Sequence, residues 1–191
     1  GGDGGAVETS GKHGLQVYGR VDASAPAGQA GHWLLDPTDV TISSAASSNA
    51  TASTGTWTVS NAAATINNAS INSDLSAGTS VTITTTSAGA AAGNISLNAD
   101  IVKSGGANAT LTLSANGAIQ VNANLTSQVN ALNVTLTAPG TISFGNATVA
   151  LNGGTLRADG GAAGAGVNGV NFTGATSFAG AGDTVRIRGT S

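Results

Sequence analysis

Short runs of alternating apolar and polar residues recur along the chain at a nearly constant interval. Residues 95–101 align with residues 119–125 at an offset of 24 positions, and a third copy occurs at residues 142–149. Residues 71–75 read as an earlier copy of the same strand. An Asn marks the copies, at Asn72, Asn98, Asn122 and Asn146. A repeat of this length predicts a solenoid in which successive coils stack on each other.

A second set of alternating runs lies between these copies, at residues 81–83, 111–113 and 134–136. Alternation with a period of two residues predicts strands that bury one face. We therefore expect an all-β chain that forms a parallel β-solenoid, with about 24 residues and three short strands per coil. The marker Asn side chains are expected to form an inward amide ladder. The inward apolar positions would be Ile95, Leu97, Ile101, Leu111, Leu113, Ile119, Val121, Leu125, Val134, Leu136, Ile142, Phe144 and Val149.

Several stretches depart from this pattern. Residues 44–55 predict a loop between coils, residues 84–94 a longer bulging loop, and residues 160–169 a Gly/Ala-rich insertion. Residues 183–188 predict one more strand. The pattern shows no cap at either end of the solenoid, and uncapped coils expose strand edges, so we expect neighbouring coils of the same chain in a longer parent protein.

The composition agrees with short, lightly charged strands. Gly, Ala, Thr, Ser and Asn make up about two thirds of the chain, whereas charged residues contribute 8% and aromatic residues 3%. Such a composition disfavours a helical protein, because good helix formers with solvated side chains are scarce. Six Lys and Arg residues cannot build a basic stripe, so we expect no nucleic-acid partner. Cys is absent, which excludes disulfides and thiolate metal sites.

The first part of the chain carries two unusual strings in a fixed order. Residues 4–12 read GGAVETSGK, and residues 31–42 read GHWLLDPTDVTI. This pair closely resembles a junction in large two-partner-secretion exoproteins, the filamentous-haemagglutinin-like and high-molecular-weight adhesins. The resemblance covers about a quarter of the chain. The Asn-Pro-Asn motifs of that family's secretion domain do not occur here, which places the segment downstream of that domain.

This resemblance implies a right-handed parallel β-helix that is exported by a bacterium and displayed at the cell surface or secreted. The parent protein would cross the outer membrane through a dedicated two-partner transporter. The chain then divides into a junction segment at residues 1–43, regular coils at residues 44–159, and an insertion with a final coil at residues 160–191. Host glycans or host surface proteins would be the partners of such an adhesin.

Outward polar side chains supply the candidate sites. The T-x-T pairs resemble the flat Thr surface of ice-binding solenoids, although Thr is also an ordinary exposed strand residue. These residues are Thr82, Thr84, Thr110, Thr112, Thr135 and Thr137. Candidate glycosylation sites in Asn-x-Ser/Thr sequences are Asn49, Asn68, Asn94, Asn108, Asn124, Asn133, Asn146 and Asn171.

Sequence motifs for chemistry are weak. No nucleophile elbow is present, so we expect no enzyme, no catalytic residue, no cofactor and no metal site. The prediction is an adhesin whose shaft attaches to host cells, glycans or matrix. Two alternatives stay open: a structural stalk that carries a distal binding or toxin domain, and an ice-binding solenoid that uses the Thr residues.

Overall fold

The computed structural model describes residues 2–9, 23, 25, 28, 31–35, 39–48, 50–53, 56–59, 63–85, 92–161 and 169–189. These residues form nineteen strands and one helix. The strands are β1 (Ala6–Thr9), β2 (His32–Leu35), β3 (Asp39–Ser43), β4 (Ala50–Ser53), β5 (Thr56–Val59), β6 (Ala63–Asn67), β7 (Ser80–Thr84), β8 (Ile95–Leu97), β9 (Ile101–Lys103), β10 (Ala109–Ser114), β11 (Ile119–Val121), β12 (Leu125–Ser127), β13 (Leu132–Ala138), β14 (Ile142–Phe144), β15 (Ala147–Ala150), β16 (Thr155–Gly160), β17 (Val170–Phe172), β18 (Thr176–Phe178) and β19 (Thr184–Gly189). The helix, α1, spans Asn68–Ser76.

Most strands belong to three parallel sheets, so the predicted all-β class is confirmed. Sheet A has seven strands in the order β1-β2-β7-β10-β13-β16-β19, and sheet B has six in the order β17-β14-β11-β8-β3-β6. Sheet C has four strands in the order β18-β15-β12-β9, while β4 and β5 form an antiparallel hairpin. From β8 onward, each three consecutive strands supply one strand to each sheet. This arrangement is consistent with a β-solenoid.

The register places equivalent residues of successive repeats side by side. In sheet B, Ile119 is paired with both Ile95 and Ile142, at intervals of 24 and 23 residues. The next partner in this row is Val170, at an interval of 28 residues. The interval widens there because the chain contains the Gly/Ala-rich stretch whose residues 162–168 lie outside the described residues.

The core is a thin column of aliphatic side chains between the sheets. All thirteen predicted inward residues are at most 1% exposed, from Ile95 to Val149. Strand β10 shows why: buried and half-buried residues alternate along all six positions. Full burial of a Leu or Ile side chain contributes about 1.5–3 kcal/mol, so a few apolar residues per coil form a continuous core.

Two expectations about the repeat are wrong. Residues 71–75 lie in α1, not in a strand; Ile71 and Leu75 are buried one helical turn apart. Asn67 caps the helix by accepting a hydrogen bond from Ala69 N, and the helix ends before Gly78, whose φ is +87°. The marker amides are also not an inward ladder, because Asn98, Asn122 and Asn146 are exposed.

Asn98, Asn122 and Asn146 point outward because each comes after the last inward residue of a short strand, whereas Asn72 lies in α1. Asn98, for example, comes directly after the buried Leu97, where the chain turns. One contact of the expected kind does occur: Asn122 Nδ2 donates to Asn98 Oδ1 at 2.9 Å. The amides therefore link two coils on the outer surface.

The N-terminal end of the solenoid carries structure that the sequence pattern did not predict. Part of the expected loop at residues 44–55 is strand β4, which pairs with β5. Strand β5 contacts β1, β2 and β6, so the hairpin packs against the first strands of sheets A and B. Helix α1 contacts β9, the terminal strand of sheet C. The expectation of an uncapped solenoid is thus wrong at this end.

The C-terminal end agrees with the predicted final strand. Residues 183–188 were expected to form it, and β19 spans Thr184–Gly189. Large apolar residues are exposed at this end, with Phe172, Phe178, Val185 and Ile187 between 39% and 45% accessible. Of the longer loop expected at residues 84–94, residues 86–91 lie outside the described residues.

Candidate functional surface

The outward face of sheet A gathers the predicted Thr residues into rows set by the register. Thr82, Thr112 and Thr135 are direct neighbours in one row. Thr84 and Thr137 belong to the next row, where Ser114 separates them. Thr110 stands two residues away from the position that the T-x-T alignment suggested, because Thr112 is the residue paired with Thr82. The Thr surface is therefore one row of three Thr residues beside a second row of three hydroxyls, in which Ser114 stands between Thr84 and Thr137.

Charged residues replace Thr in the same rows towards the C-terminal end. Thr135 is paired with Arg157, which is in turn paired with Arg186. In the neighbouring row, Asp159 is paired with Arg188. Arg157 Nε donates to Asp159 Oδ2 at 2.5 Å. This cluster was not predicted, although the alternation of Arg157 with Asp159 is visible in the sequence.

A polar groove of about 540 Å³ lies where strands β7, β10 and β13 of sheet A begin. Its lining includes Ser80, Asn108, Thr110, Asn130 and Asn133, which come from successive coils, together with Gly28 and Ala107. Most side chains of the described lining residues carry a hydroxyl or an amide group, and none of the described lining side chains is charged. Such a lining suits a neutral, hydroxyl-rich ligand, since these groups both donate and accept hydrogen bonds.

Amide oxygens along the groove hold the backbone of the next coil. Asn108 Oδ1 accepts a hydrogen bond from Ala131 N at 2.9 Å, and Asn133 Oδ1 accepts one from Thr155 N at 3.1 Å. Within the described residues, no acceptor engages the Nδ2 groups of Asn108 and Asn133. The backbone contact thus fixes each side chain, while its Nδ2 donors remain available to a ligand.

The candidate glycosylation sites differ in how their Nδ2 atoms, where a glycan would attach, are used. Asn68 Nδ2 donates to Asp100 O at 2.8 Å, and Asn124 Nδ2 donates to Asp100 Oδ2 at 3.2 Å. The described contacts of four others leave Nδ2 without a protein acceptor: Asn94, Asn108, Asn133 and Asn146, which accept backbone hydrogen bonds through Oδ1. Asn171 is half-buried on β17, and Asn49 lies outside the described residues.

Lys103 is a buried cation that the sequence pattern did not single out. Its side chain is fully buried, and Nζ donates to Gly105 O at 2.6 Å and Val129 O at 2.5 Å, with Gly106 O at 3.4 Å. Burial lowers the pKa of Lys103 below its ordinary value. The signal in the sequence was a Lys at an inward position of an alternating strand. Its contacts tie together the turns of two successive coils, which is a structural role.

The acidic residues near the junction also serve the backbone. Asp39 Oδ1 accepts a hydrogen bond from Asn94 N at 2.5 Å, just before strand β8 begins.

Among the described residues, no three His, Cys, Asp or Glu side chains are grouped so that they could hold a metal ion. In that same part of the chain, no helix is long and apolar enough to cross a membrane. No protein-family model and no curated protein matches this chain.

Proposed function

We propose that this chain is part of a right-handed β-helical shaft of a bacterial adhesin, secreted or displayed at the cell surface, that attaches to host glycans or surface proteins. The parent protein would reach the outside through an outer-membrane two-partner transporter. The likeness of residues 4–12 and 31–42 to such exoproteins supports the class. Right-handedness is expected from the strong preference of parallel strand crossovers for that hand.

The observation that carries the binding role is the polar groove at the margin of sheet A, whose described lining residues carry no charge. Asn108, Asn130 and Asn133 bring amides from adjacent turns towards one cavity, next to the hydroxyls of Ser80 and Thr110. A sugar presents several hydroxyls, and each can both donate and accept a hydrogen bond. Individual contacts of this kind are weak, so attachment would depend on many copies acting together on one cell.

The stacked coils would supply reach. Neighbouring parallel strands lie about 4.8 Å apart, so every coil adds that length to the shaft. This geometry places the groove on the side of the rod, where a surface glycan can approach it. No catalytic chemistry is required for such a role.

Glycan-array and host-cell binding of the 191-residue chain tests the proposal. The informative variant is Asn108→Asp with Asn133→Asp, because Asp keeps the oxygen that holds the next coil and removes the Nδ2 donors. We expect at least about a tenfold loss of glycan binding, equivalent to one or two hydrogen bonds. Asn98→Asp, an exposed amide outside the groove, is the matched control and should bind normally.

Two results would contradict this function. Equal binding by the double variant and the unaltered chain would place the ligand elsewhere on the surface. No binding by the chain to any glycan or cell, with binding by its full-length parent, would favour the stalk. The register gives the ice-binding alternative little support, because the row of three Thr residues ends at Arg157. An absence of thermal hysteresis would exclude ice binding.

A further inference from the structure

An Asn that is followed by Gly is a chemically labile pair, because the Gly has no side chain to shield its backbone N. That N can attack Cγ of the Asn and close a succinimide ring. The Cγ–Nδ2 bond then breaks, and Nδ2 leaves as ammonia with the proton that the Gly N gives up through water. Water opens the ring to Asp or to isoaspartate. Two such pairs lie within the described residues, Asn116–Gly117 and Asn152–Gly153, whereas Asn168 of a third pair lies outside them.

Asn152 and Gly153 form the tip of a turn between β15 and β16. Their φ angles are +56° and +82°, and Gly154 N donates a hydrogen bond to Leu151 O at 3.3 Å. Positive φ at both central residues is characteristic of a type I′ turn. Both residues are exposed, and a Cβ placed on Gly153 would meet no heavy atom within 4 Å. The surroundings of this turn therefore leave room for a succinimide ring.

The carboxylate of Asp183 holds this turn from the next coil. Gly153 N donates to Asp183 Oδ1 at 2.8 Å, and Leu151 N donates to Asp183 Oδ2 at 2.6 Å. Hydrogen bonds to a charged acceptor are stronger than those between neutral groups. Ring closure would rotate the peptide unit between Asn152 and Gly153 towards the Asn side chain and break the first of these bonds. Asp183 is therefore placed to slow the reaction.

The pair Asn116–Gly117 is held in a different way. Gly117 N donates to Gly93 O, and Gly117 O accepts from Gly140 N, both at 2.9 Å. The Gly is thus tied to a coil on each side, and a Cβ placed on it would collide with the preceding coil. Ring closure at Asn116 requires the coils to separate, whereas at Asn152 it requires release from one carboxylate.

We propose that Asn152 is a site of spontaneous deamidation and that Asp183 is a positioning residue that slows this reaction. The product introduces a new carboxylate at the turn that Asp183 holds, and neighbouring like charges repel. Isoaspartate also adds one carbon to the backbone of the turn. Either product weakens the hydrogen bond from Leu151 N, whose side chain belongs to the core, and loosens the junction between β15 and β16. This inference does not depend on the adhesin proposal.

Site-resolved peptide mass spectrometry of the full chain during incubation at neutral pH tests the proposal. We expect Asp183→Ala to convert Asn152 at least about fivefold faster than the unaltered chain does, because a charged hydrogen-bond acceptor is lost. Asp100→Ala is the matched control, since Asp100 Oδ1 also holds a backbone N of the next coil, that of Asn124, at 2.9 Å. This control should leave the rate at Asn152 unchanged. In the unaltered chain, Asn116 should react more slowly than Asn152.

The variant Asp183→Asn separates the hydrogen bonds from the integrity of the fold. It keeps one neutral acceptor, so the rate at Asn152 should lie between the rates of Asp183→Ala and the unaltered chain, with unchanged amide hydrogen exchange in β13. In the deamidated chain, exchange at Leu151 N should be faster, and unchanged exchange there would contradict the loosening of the turn.

Three results would each overturn the role of Asp183. The first is an equal rate at Asn152 in Asp183→Ala and in the unaltered chain. The second is a parallel acceleration at Asn116, which would show general unfolding instead of release of one turn. The third is a slower reaction at Asn152 in Asp183→Ala, which would make the carboxylate a base that promotes ring closure.

Discussion

The N-terminal end of the solenoid is covered by additional structure, whereas the described residues of the C-terminal end leave core side chains accessible. At the first end, Ile71 and Leu75 of α1 are fully buried against the core. At the second, Phe172 and Phe178 are nearly half exposed. Both ends belong to the same parallel sheets. The two ends differ in the element that packs on the terminal strands: a helix and a hairpin at the first, and no described element at the second.

Helix α1 shows how polar side chains satisfy a parallel sheet edge. Asn72 Oδ1 accepts a hydrogen bond from Val102 N at 3.0 Å, and Ser76 Oγ accepts one from Ser104 N at 2.9 Å. Asn68 Nδ2 donates to Asp100 O at 2.8 Å. These contacts replace the hydrogen bonds that a further strand would make with β9. This fold can therefore end a sheet with a helix. In the described part of the chain, no such element covers β19 of sheet A.

The largest expected difference in the free energy of unfolding lies between variants of two Phe residues, one in the buried coils and one at the exposed end. Phe144 is fully buried and stacks on Phe172 with ring centroids 5.4 Å apart, so Phe144→Ala should lower the free energy of unfolding by about 3–5 kcal/mol. Phe178→Ala, at the exposed end, should cost about 1 kcal/mol. Denaturant unfolding measures both. Equal losses would show that the C-terminal end is covered in solution.

The second-largest expected loss of stability concerns Lys103, a buried residue of strand β9, which α1 contacts. Lys103→Ala should destabilise the chain by about 2–3 kcal/mol, because it leaves a cavity and removes the donor from Gly105 O and Val129 O. Lys103→Met keeps most of the volume and isolates the hydrogen bonds. Thermal unfolding of the three proteins measures the separation. A loss near zero for Ala would argue that Lys103 is solvated in solution.

The cover over sheet C can be tested through Asn72. Asn72→Ala should cost about 1–2 kcal/mol, since Val102 N and Asp100 O lose a partner at the margin of β9. Asn98→Ala removes an exposed amide in a similar turn and should change stability by less than about 0.5 kcal/mol. Hydrogen exchange at Val102 N should also speed up in the first variant only. Similar behaviour of the two variants would remove the capping role of α1.

The smallest expected effect is a dependence of the free energy of unfolding on pH, caused by the buried Lys103. Burial lowers its pKa in the folded chain, so between that lowered value and the ordinary value of about 10.4 the unfolded chain binds the extra proton. The free energy of unfolding should therefore rise with pH across this window, and the cost of the buried charge is fully present below it. Subtracting the pH profile of Lys103→Met isolates this contribution. A difference that falls with pH would contradict the direction of the pKa change.

The sequence pattern predicted the core well and the helix not at all, for one physical reason. Ile71 and Leu75 are four residues apart, a spacing that shares one face both in a strand, with its period of two, and in a helix, with its period near 3.6. The apolar positions were therefore assigned correctly to the interior, but in the wrong element. Contact with β9, together with the Asn67 cap, decided for the helix.

The groove was beyond the reach of the sequence pattern as well. Asn108 and Asn133 were visible in the sequence only as candidate glycosylation sites, and Asn130 was not singled out. Their approach to Ser80 depends on the register between β7 and β10, where Val81 is paired with Leu111 across thirty residues instead of 24. Thr110 lies outside the expected row for a separate reason, because it precedes the apolar pair of its strand whereas Thr84 and Thr137 follow theirs. The sequence pattern aligned the apolar positions of these strands correctly, but it did not show which polar groups near the starts of the strands approach each other.

The alternation between core and solvent and the interval at which the strand pattern recurs follow from local sequence, because both depend on side-chain hydrophobicity over a few consecutive residues. Folding of the whole chain sets which side chains share a row, where α1 and the hairpin β4–β5 cover the sheets, and how Lys103 reaches Val129 O. Those features depend on groups that are a whole coil or more apart in the chain. Their free energy is gained only when successive coils stack in one register.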